Sequence, residues 1–316
     1  MYRIGVDLGG TNIVSAVVDD NYKIVSKGKA PTNADRPAEE IFDDIAETIF
    51  TAVKESCLEM SDIASIGVGT PGSVNKANGL IEYANNLGFD KVPAYDLLAS
   101  RTGVKNIYID NDANCAALGE AVAGAGKGVK SFVAITLGTG VGSGIIVDGR
   151  LVTGVNYAAG EMGHMVIAAG GEQCTCGRRG CWEAYASATA LIRDTKRAMK
   201  MNPYTVMWDM VGDDLNEVGG RTAFDAMRAG DATAKQVVEN YIYYLACGCT
   251  NIVNTFQPDM LCVGGGVGNE KETLLVPLRR LVAASRYSIH AEVQTQIVSA
   301  LLGNDAGIIG AALLDE

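Results

Sequence analysis

The chain has 316 residues, of which 48% are hydrophobic and 20% are charged. A single hydrophobic core rarely grows this large, so we expect two domains, each with enough apolar residues for a core. The 37 Asp and Glu residues outnumber the 26 Lys and Arg residues, for a formal net charge of −11. This charge repels phosphate backbones and anionic membranes, so we expect neither nucleic acid nor a membrane as a partner.

The first residues contain no charged-then-apolar leader, and no apolar run approaches the length of a membrane span. The chain has eight cysteines, and without an export signal they are expected to stay reduced. We therefore expect a cytoplasmic protein.

The first predicted element is a β-hairpin with a glycine tip. Arg3 to Leu8 is a predicted strand, Gly9-Gly10-Thr11 is the tip, and Val14 to Val18 is the returning strand. A similar hairpin recurs at a constant offset of 129 residues, with four identical positions in sixteen. The hypothesis is a duplicated half, although glycine-tipped hairpins can share four identities by chance. The second hairpin comprises Phe132 to Leu137, Gly138-Thr139-Gly140 and Ile145 to Val147.

Helix and strand patterns alternate along the rest of the chain, which is typical of an α/β architecture. A helix is predicted from Pro37, with Asp35 as its cap and an apolar residue every fourth position from Ile41 to Val53. Further predicted strands are Ile63 to Val68, Asn106 to Ile109 and Met260 to Val263. Further predicted helices are Ala113 to Ala123, Trp182 to Met201, Thr233 to Phe256 and Asp305 to Leu314.

Metal-binding side chains are concentrated in two short segments, Glu161-Met162-Gly163-His164 and Cys174 to Glu183. One imidazole and three thiols form the Cys₃His set that encloses a tetrahedral Zn²⁺ and leaves no open position, so we predict a structural zinc. The alternative is that the cysteines are unrelated core residues, but the glycine-rich setting could not build a core around them. The predicted ligands are His164, Cys174, Cys176 and Cys181. The remaining cysteines, expected in the core, are Cys57, Cys115, Cys247, Cys249 and Cys262.

Three glycine-rich turns follow apolar strands, at Gly9-Gly10, Gly138-Thr139-Gly140 and Gly264-Gly265-Gly266. Such turns let backbone N–H groups approach phosphate oxygens, although each one alone could be an ordinary hairpin or helix entry. None of them matches the P-loop pattern or the dinucleotide-binding pattern of the Rossmann fold. Together they indicate a nucleotide site of another kind.

These motifs occur in the order seen in the ROK family of sugar kinases and repressors, and the resemblance covers almost the whole chain. It is carried by Asp7-x-Gly9-Gly10-Thr11, Asn111-Asp112-Ala113-Asn114, Leu137-Gly138-Thr139-Gly140-Val141-Gly142, the segment from Glu161 to Glu183, and Gly264-Gly265-Gly266. Within the family the chain is most similar to the bacterial glucokinases. The resemblance implies the actin-like ATPase fold, in which two ribonuclease-H-like α/β domains surround a cleft.

The implied domains are residues 1–111, joined by the C-terminal helix at about 302–316, and residues 112–301 with a zinc-binding loop at 161–183. The implied cofactors are ATP, catalytic Mg²⁺ and structural Zn²⁺. The implied partners are a sugar and a nucleotide, and the implied assembly is a homodimer or homotetramer.

Phosphoryl transfer to a sugar hydroxyl requires a carboxylate that accepts the hydroxyl proton. Asp112 follows a predicted strand and precedes a predicted helix, and the matching residue in the ROK pattern is the general base. The alternative is that Asp112 only caps that helix.

The resemblance places the sugar on polar side chains, with His164 using one ring nitrogen for zinc and the other for a sugar hydroxyl. Phe89 departs from the family pattern, in which tryptophan often follows Leu-Gly. The sequence therefore does not determine which residue forms this wall of the sugar pocket. His290 has no motif around it and is expected at or near the surface. The implied sugar-binding residues are Gly72, Asn86, Asn111, Asp112, Glu161, His164 and Glu183.

On the donor side, the resemblance implies that Asp7 holds Mg²⁺, mostly through water. It places Gly265 and Gly266 at the adenosine. ATP, ADP and polyphosphate present similar oxygens, so the sequence leaves the donor open. The residues implied at the phosphates and the adjoining hairpin are Gly9, Gly10, Thr11, Asn12, Thr139 and Gly140.

The predicted activity is ATP-dependent phosphorylation of glucose to glucose 6-phosphate, with N-acetylmannosamine or another hexose or N-acetylhexosamine as the alternative substrate. A ROK repressor would carry a helix-turn-helix domain before the first hairpin, which here starts at Tyr2, so this alternative is disfavoured. A zinc hydrolase is also disfavoured, because four protein ligands would close the metal site.

Overall fold

The structure, a computed structural model, describes residues 1–315. Two compact units are present, one formed by Met1–Ala134, Gly144–Gly160 and the segment from Leu301 onward, the other by Ile135–Ser143 and Glu161–Ala300. The strands are β1 (Tyr2–Leu8), β2 (Asn12–Val18), β3 (Ile24–Pro31), β4 (Ile63–Thr70), β5 (Ser73–Asn75), β6 (Leu80–Ala84), β7 (Phe89–Val92), β8 (Ile107–Asn111), β9 (Phe132–Leu137), β10 (Val141–Val147), β11 (Arg150–Leu151), β12 (Met260–Gly264) and β13 (Gln296–Ser299). The helices are α1 (Ala38–Glu55), α2 (Ala94–Thr102), α3 (Asp112–Val122), α4 (Glu183–Ala186), α5 (Ala188–Met201), α6 (Met207–Met210), α7 (Thr222–Arg228), α8 (Ala232–Phe256), α9 (Gly265–Gly268), α10 (Glu272–Ser285) and α11 (Ala306–Ala312).

The first five-stranded sheet has the order β3-β2-β1-β4-β8. Strands β1 and β2 are antiparallel, with Leu8 opposite Ile13, whereas β4 runs parallel to β1 and β8 runs parallel to β4. Helix α1 buries its predicted apolar stripe, from Ile41 to Val53, in the core of this unit. The parallel strands β1, β4 and β8 end at the same edge, which brings Asp7 and Asn111 to that edge.

The second five-stranded sheet has the order β11-β10-β9-β12-β13. It repeats the order of the first sheet, in which three strands in reverse chain order are followed by two later strands. Strand β13 runs parallel to β12. Strands β2 and β10 occupy equivalent residues at the 129-residue offset. This repeated order is what a duplicated half would produce.

Two details of the helices differ from the sequence prediction. The segment from Trp182 to Met201 forms two helices, α4 and α5, because Ser187 has an extended backbone and its hydroxyl caps α5 by accepting the N–H of Ala190. Asp35 does not cap α1, which begins after Pro37 without a side-chain cap.

The first unit continues to Ala134, beyond the predicted boundary at residue 111. The reason is the packing of α3 against the C-terminal helix α11, where Gly119 lies against the backbone of Ala306 and Gly310. The segment from Leu301 onward also belongs to the first unit.

Cysteines outside the predicted metal motif occupy different environments. Cys115, Cys249 and Cys262 are buried and Cys247 is partly buried. The expectation of a core position is wrong for Cys57, which is exposed in a left-handed conformation just after α1. None of the helices within residues 1–315 is long and apolar enough to cross a membrane.

Candidate functional site

The first glycine tip is exposed, and hydrogen bonds to its own backbone fix its conformation. The Gly9 N–H donates to the Asn12 carbonyl over 2.9 Å, and the Thr32 hydroxyl donates to the Gly9 carbonyl over 2.6 Å. Gly10, Thr11 and Asn12 are exposed. The tip therefore offers backbone N–H groups on a fixed loop, as an anion site requires. Thr32, which follows β3, was not identified from the sequence, because only the fold brings it to the tip.

Asp7 is partly buried on β1, one residue from this tip. Burial raises the pKa of its carboxyl above the ordinary value, since a carboxylate loses hydration there. The start of α11 is close, because a Cβ on Gly307 would lie 3.9 Å from the Asp7 carboxyl carbon. A bound cation would offset the cost of ionising Asp7, so the residue fits the predicted Mg²⁺ role.

The junction of β8 and α3 separates two roles that the sequence left open. Asn111 is the N-cap of α3, and its side-chain oxygen accepts the N–H groups of Ala113 and Asn114. The Asn111 amide also donates to the Gly72 carbonyl over 3.2 Å. Asp112 is the first residue of the helix and is exposed. Asn111 is therefore the N-cap residue, although Asp112 Oδ1 also accepts the Ala113 N–H over 2.8 Å, and the Asp112 carboxylate lies at the positive end of the helix dipole.

A buried carboxylate that the sequence reasoning missed supports this junction. Asp110 is 1% exposed and forms an ion pair with Lys76. Its other oxygen accepts the Asn111 N–H over 2.7 Å and the Asn114 amide over 2.9 Å. An acidic residue at the end of an apolar strand was the available signal. Asp110 fixes the backbone that carries Asp112.

Two further predicted sugar-binding residues lie in the same unit. Gly72 has φ +91°, and a side chain there would overlap the Tyr83 carbonyl, so only glycine fits. Asn86 is exposed in a 3-10 turn, and its Cβ would lie 3.6 Å from a Cβ on Gly10. The structure thus brings Asn86 to the first glycine tip. Phe89 is 2% exposed and packs on Phe42 in the core.

The predicted zinc ligands cluster in the second unit. One nitrogen and three sulfurs, from His164, Cys174, Cys176 and Cys181, lie within 4.8 Å of one another. The sulfurs of Cys176 and Cys181 are 3.6 Å apart, as are the Cys174 sulfur and the His164 Nδ1 atom. Tetrahedral zinc with bonds of about 2.3 Å separates its ligands by roughly 3.8 Å, whereas a disulfide needs about 2.05 Å. The spacing fits a metal.

The thiols have different proton affinities without a metal. Burial raises the pKa of Cys174, and it raises the pKa of Cys181 to about 12. The backbone N–H near Arg178 lowers the pKa of the exposed Cys176. Zinc would have to displace the remaining protons, so metal affinity should rise with pH.

Glu183 lies between the metal loop and the second glycine turn. Its Oε2 atom accepts the Val141 N–H over 3.0 Å, and its Oε1 atom accepts the Thr175 hydroxyl over 3.3 Å. The turn itself is closed by a 3.0 Å bond from the Gly138 N–H to the Gly140 carbonyl. The Thr139 carbonyl accepts the Thr189 hydroxyl over 2.8 Å.

Trp182 anchors the metal loop to the body of the second unit. Its side chain is fully buried, and its indole N–H donates to the Tyr244 carbonyl over 2.9 Å. Gly248 on α8 leaves the space for the ring, because a Cβ there would overlap it. Burying the ring contributes on the order of 3 kcal/mol. Tyr185 accepts the Glu172 N–H over 2.7 Å and holds the other side of the loop.

The remaining predicted site residues of the second unit are exposed or tightly packed. Glu161 is exposed and begins the 3-10 turn that carries His164. Gly265 has φ +79°, and a side chain there would overlap the Leu137 backbone, so the third glycine turn packs against the second. Gly266 is the second residue of α9 and is exposed. His290 is exposed, as expected.

The structure therefore brings the predicted residues together in two sets. The first unit holds Asp7, Gly9, Gly10, Thr11, Asn12, Gly72, Asn86, Asn111 and Asp112. The second unit holds Thr139, Gly140, Glu161, His164, Cys174, Cys176, Cys181, Glu183, Gly265 and Gly266.

Comparison with known proteins gives matches over the whole length. The model of the ROK family matches residues 3–316. The glucokinase of Thermotoga maritima is 37% identical over 98% of this chain and 95% of its own length. The structure of a ROK family glucokinase from Streptomyces griseus, in complex with glucose and AMPPNP, is 33% identical, covers 99% of both chains and has a TM-score of 0.85. The xylose repressor of Bacillus subtilis is 27% identical over 98% of this chain and 75% of its own length.

Proposed function

Because this chain belongs to the ROK family, we propose that it is a hexose kinase that uses ATP to phosphorylate glucose to glucose 6-phosphate. The observation that carries the proposal is the β8–α3 junction, where Asn111 caps the helix and Asp112 presents an exposed carboxylate. Similarity to named glucokinases along the whole chain supports the same activity.

In the proposed mechanism, Asp112 is the general base. Its carboxylate accepts the proton of the sugar 6-hydroxyl as that oxygen attacks the γ-phosphorus of ATP, and ADP leaves. The positive end of the α3 dipole lies at the Asp112 carboxylate. Asp110 and Lys76 hold the supporting backbone without taking part in the proton transfer.

The groups proposed to bind sugar hydroxyls are mostly polar side chains. In the first unit these are Asn86, the Gly72 backbone and Asn111, whose side chain already bonds the helix N-terminus and Gly72. In the second unit the carboxylates would accept hydrogen bonds from sugar hydroxyls, and His164 would use Nδ1 for the metal and Nε2 for a sugar hydroxyl. The proposed second-unit residues are Glu161, His164 and Glu183.

The nucleotide would bind at the glycine turns, with Gly9, Gly10, Thr11 and Asn12 of the first unit facing phosphates. Thr139 and Gly140 would do the same in the second unit. Gly265 and Gly266 would approach the adenosine. When bound, Mg²⁺ offsets phosphate charge, and Asp7 would hold it through water. The proposed zinc has a structural role only.

The cellular compartment, the place in metabolism and the oligomeric state are part of the same proposal. Three thiols arranged for a metal rather than for a disulfide suit a reducing compartment, so we place the protein in the cytoplasm, at the entry of glucose into glycolysis. We propose a homodimer or homotetramer on family resemblance. Sedimentation velocity measures that state directly, and a purely monomeric protein contradicts it.

The experiment that tests the function is a substrate panel with the purified protein. Glucose, mannose, fructose, allose, N-acetylglucosamine and N-acetylmannosamine are each paired with ATP, ADP or polyphosphate, and sugar phosphate is measured by mass spectrometry. We expect the highest kcat/KM for glucose with ATP. A higher value for N-acetylmannosamine reassigns the sugar. Sugar binding without turnover on every pair favours a sugar-responsive regulator instead.

A further inference from the structure

Glu183 touches two motifs that the proposed function assigns to different substrates. Its Oε2 atom accepts the N–H of Val141, in the turn proposed to hold phosphate. Its Oε1 atom accepts the hydroxyl of Thr175, in the metal loop that carries the sugar-binding side chains. A carboxylate offers about four lone-pair sites, so both bonds leave capacity for a sugar hydroxyl.

The Glu183 carboxylate packs directly on the glycine turn. The three nearest heavy atoms to a Cβ on Gly140 would all belong to the Glu183 side chain, and the Cβ would overlap Oε2. Gly140 does not have a positive φ. A larger residue at this position therefore requires the Glu183 carboxylate to move.

The other face of Val141 meets the same loop. A Cβ on Gly163 would overlap the Val141 carbonyl, and Gly163 directly precedes His164. The backbone N–H and C=O of Val141 thus both lie against the segment that begins at Glu161 and ends at Glu183. A shift of the turn would disturb both of these contacts.

Thr175 holds the outer oxygen of Glu183. The Cys174 sulfur also approaches Oε1, at 3.7 Å, but Cys174 is a proposed metal ligand and serves another role. Thr175 is exposed and lies between two proposed ligands. Its hydroxyl is therefore the group suited to fix the rotation of the carboxylate.

We propose that the Glu183 carboxylate links sugar binding to the phosphate-binding turn, and that Thr175 is the positioning residue that holds this carboxylate. The proposal rests on the proposed kinase function. A sugar hydroxyl bound to Glu183 immobilises the carboxylate and, through it, the Val141 N–H. The nucleotide then binds a turn that is already ordered, and its affinity rises by the same factor as the affinity for sugar.

The test measures the dissociation constant of Mg²⁺·AMPPNP by calorimetry, with and without saturating glucose. For the wild type we expect glucose to tighten AMPPNP binding by about fivefold or more. Thr175→Val removes the hydroxyl with little change of shape and should reduce this tightening to less than about twofold. Thr175→Ser restores the hydroxyl and should restore most of the tightening. The matched control is Thr51→Val on the exposed face of α1, which should behave as the wild type.

A second pair of variants tests the contact between Glu183 and the glycine turn. Gly140→Ala should push Oε2 away from the Val141 N–H and raise the dissociation constant of glucose, measured without nucleotide, by about tenfold. Gly138→Ala is the control, because no atom lies within 4 Å of its added methyl group. It should leave that constant within about twofold.

Zinc content and melting temperature of every variant separate positioning from damage to the loop. The proposal is overturned if Thr175→Val keeps both its zinc and the full tightening, or if Thr175→Ser fails to rescue. It is also overturned if the wild type shows no tightening, or if the Gly140→Ala and Gly138→Ala variants bind glucose equally well. A wild type that phosphorylates no sugar refutes both the proposed function and the linkage. An active wild type whose variants keep the wild-type tightening and glucose affinity refutes only the linkage.

Discussion

At the scale of single residues, Asn111 caps helix α3 and the neighbouring Asp112 is the proposed general base. Asparagine accepts the N–H groups of the first helical turn, and the neighbouring aspartate lies one position further, exposed. Both residue types cap helices well, so the sequence could not tell which one does so here. The fold decides, because β8 continues through Asn111 and places Asp112 inside the helix.

Asp112→Asn tests the proposed base. The amide can still hydrogen-bond a sugar hydroxyl but cannot accept its proton, so kcat should fall by about 10²–10⁴-fold. The glucose dissociation constant should change by less than about tenfold. Rapid-quench kinetics and calorimetry on the same preparation separate the two effects. A folded variant that keeps more than about a tenth of its kcat refutes the assignment.

Asp7 gives a prediction about pH, because burial raises the pKa of its carboxyl. The protonated form is favoured in the folded state, so its contribution to stability is present below the ordinary pKa of 3.8 and is lost as pH rises. Without Mg²⁺, Asp7→Asn should therefore raise the melting temperature at pH 7.5 by about 2 °C or more, and by less at pH 4.5. Activity should collapse at both pH values.

The control for Asp7 is Asp19, at the end of the same hairpin. The Lys23 backbone N–H lowers the pKa of the Asp19 carboxyl, so its contribution to stability is present above the ordinary pKa and lost as pH falls. Asp19→Asn should thus have its larger effect at neutral pH, as a loss. Calorimetric melting curves at the two pH values distinguish the pair. Equal trends for Asp7→Asn and Asp19→Asn would contradict the burial of Asp7.

At the scale of elements, the metal loop has a small apolar cluster, in which Ile167 and Ala168 pack against Cys174, Cys181 and Tyr185. Three sulfurs and one imidazole nitrogen of this loop lie at ligand spacing, so a bound metal would cross-link its two ends. The metal should therefore hold the loop, including Glu161, His164 and Glu183, in its observed shape.

Zinc removal tests this role. Metal analysis of protein purified without added zinc should find about one equivalent per chain. Cys176→Ala should lower the melting temperature and the glucose affinity together, because one loop carries both properties. The control is Cys57→Ala, an exposed cysteine outside the loop. Active, folded protein without zinc would refute the structural role.

Some elements could be predicted from sequence and others could not, for local reasons. Glycine tips between apolar runs identified both hairpins, and Ile41 to Val53 identified α1, since these patterns lie within one element. Strands β5, β6 and β7 were missed because they are short and carry exposed polar residues such as Glu82 and Asp90. The break at Ser187 was missed because its flanks are apolar on both sides.

The same distinction holds for the candidate site. Cysteine spacing predicts the metal cluster, because the ligands lie close in sequence. Asp110, Lys76 and Thr175 were not predicted, because their roles depend on partners that only the fold supplies. Phe89 packs in the core, which the glycine motif before it did not indicate.

At the scale of the whole molecule, two sheets with the same strand order carry equivalent hairpins. Structural similarity to a ROK family glucokinase over the full chain agrees with the expected actin-like ATPase fold. Each hairpin contributes one glycine turn. The proposed polar site residues follow later in the chain, at the β8–α3 junction and in the segment from Glu161 to Glu183. Repetition of one architecture thus supplies the elements from which a phosphotransferase site can be built.

We propose that this chain transfers the γ-phosphoryl group of ATP to the 6-hydroxyl of glucose. Phosphorus NMR of a reaction with purified protein, Mg²⁺, ATP and glucose tests it most directly, because it identifies both the product and the carbon that carries the phosphate. We predict glucose 6-phosphate and ADP in equal amounts, with neither formed without protein. Free phosphate without sugar phosphate, or phosphate on another carbon, would contradict the account.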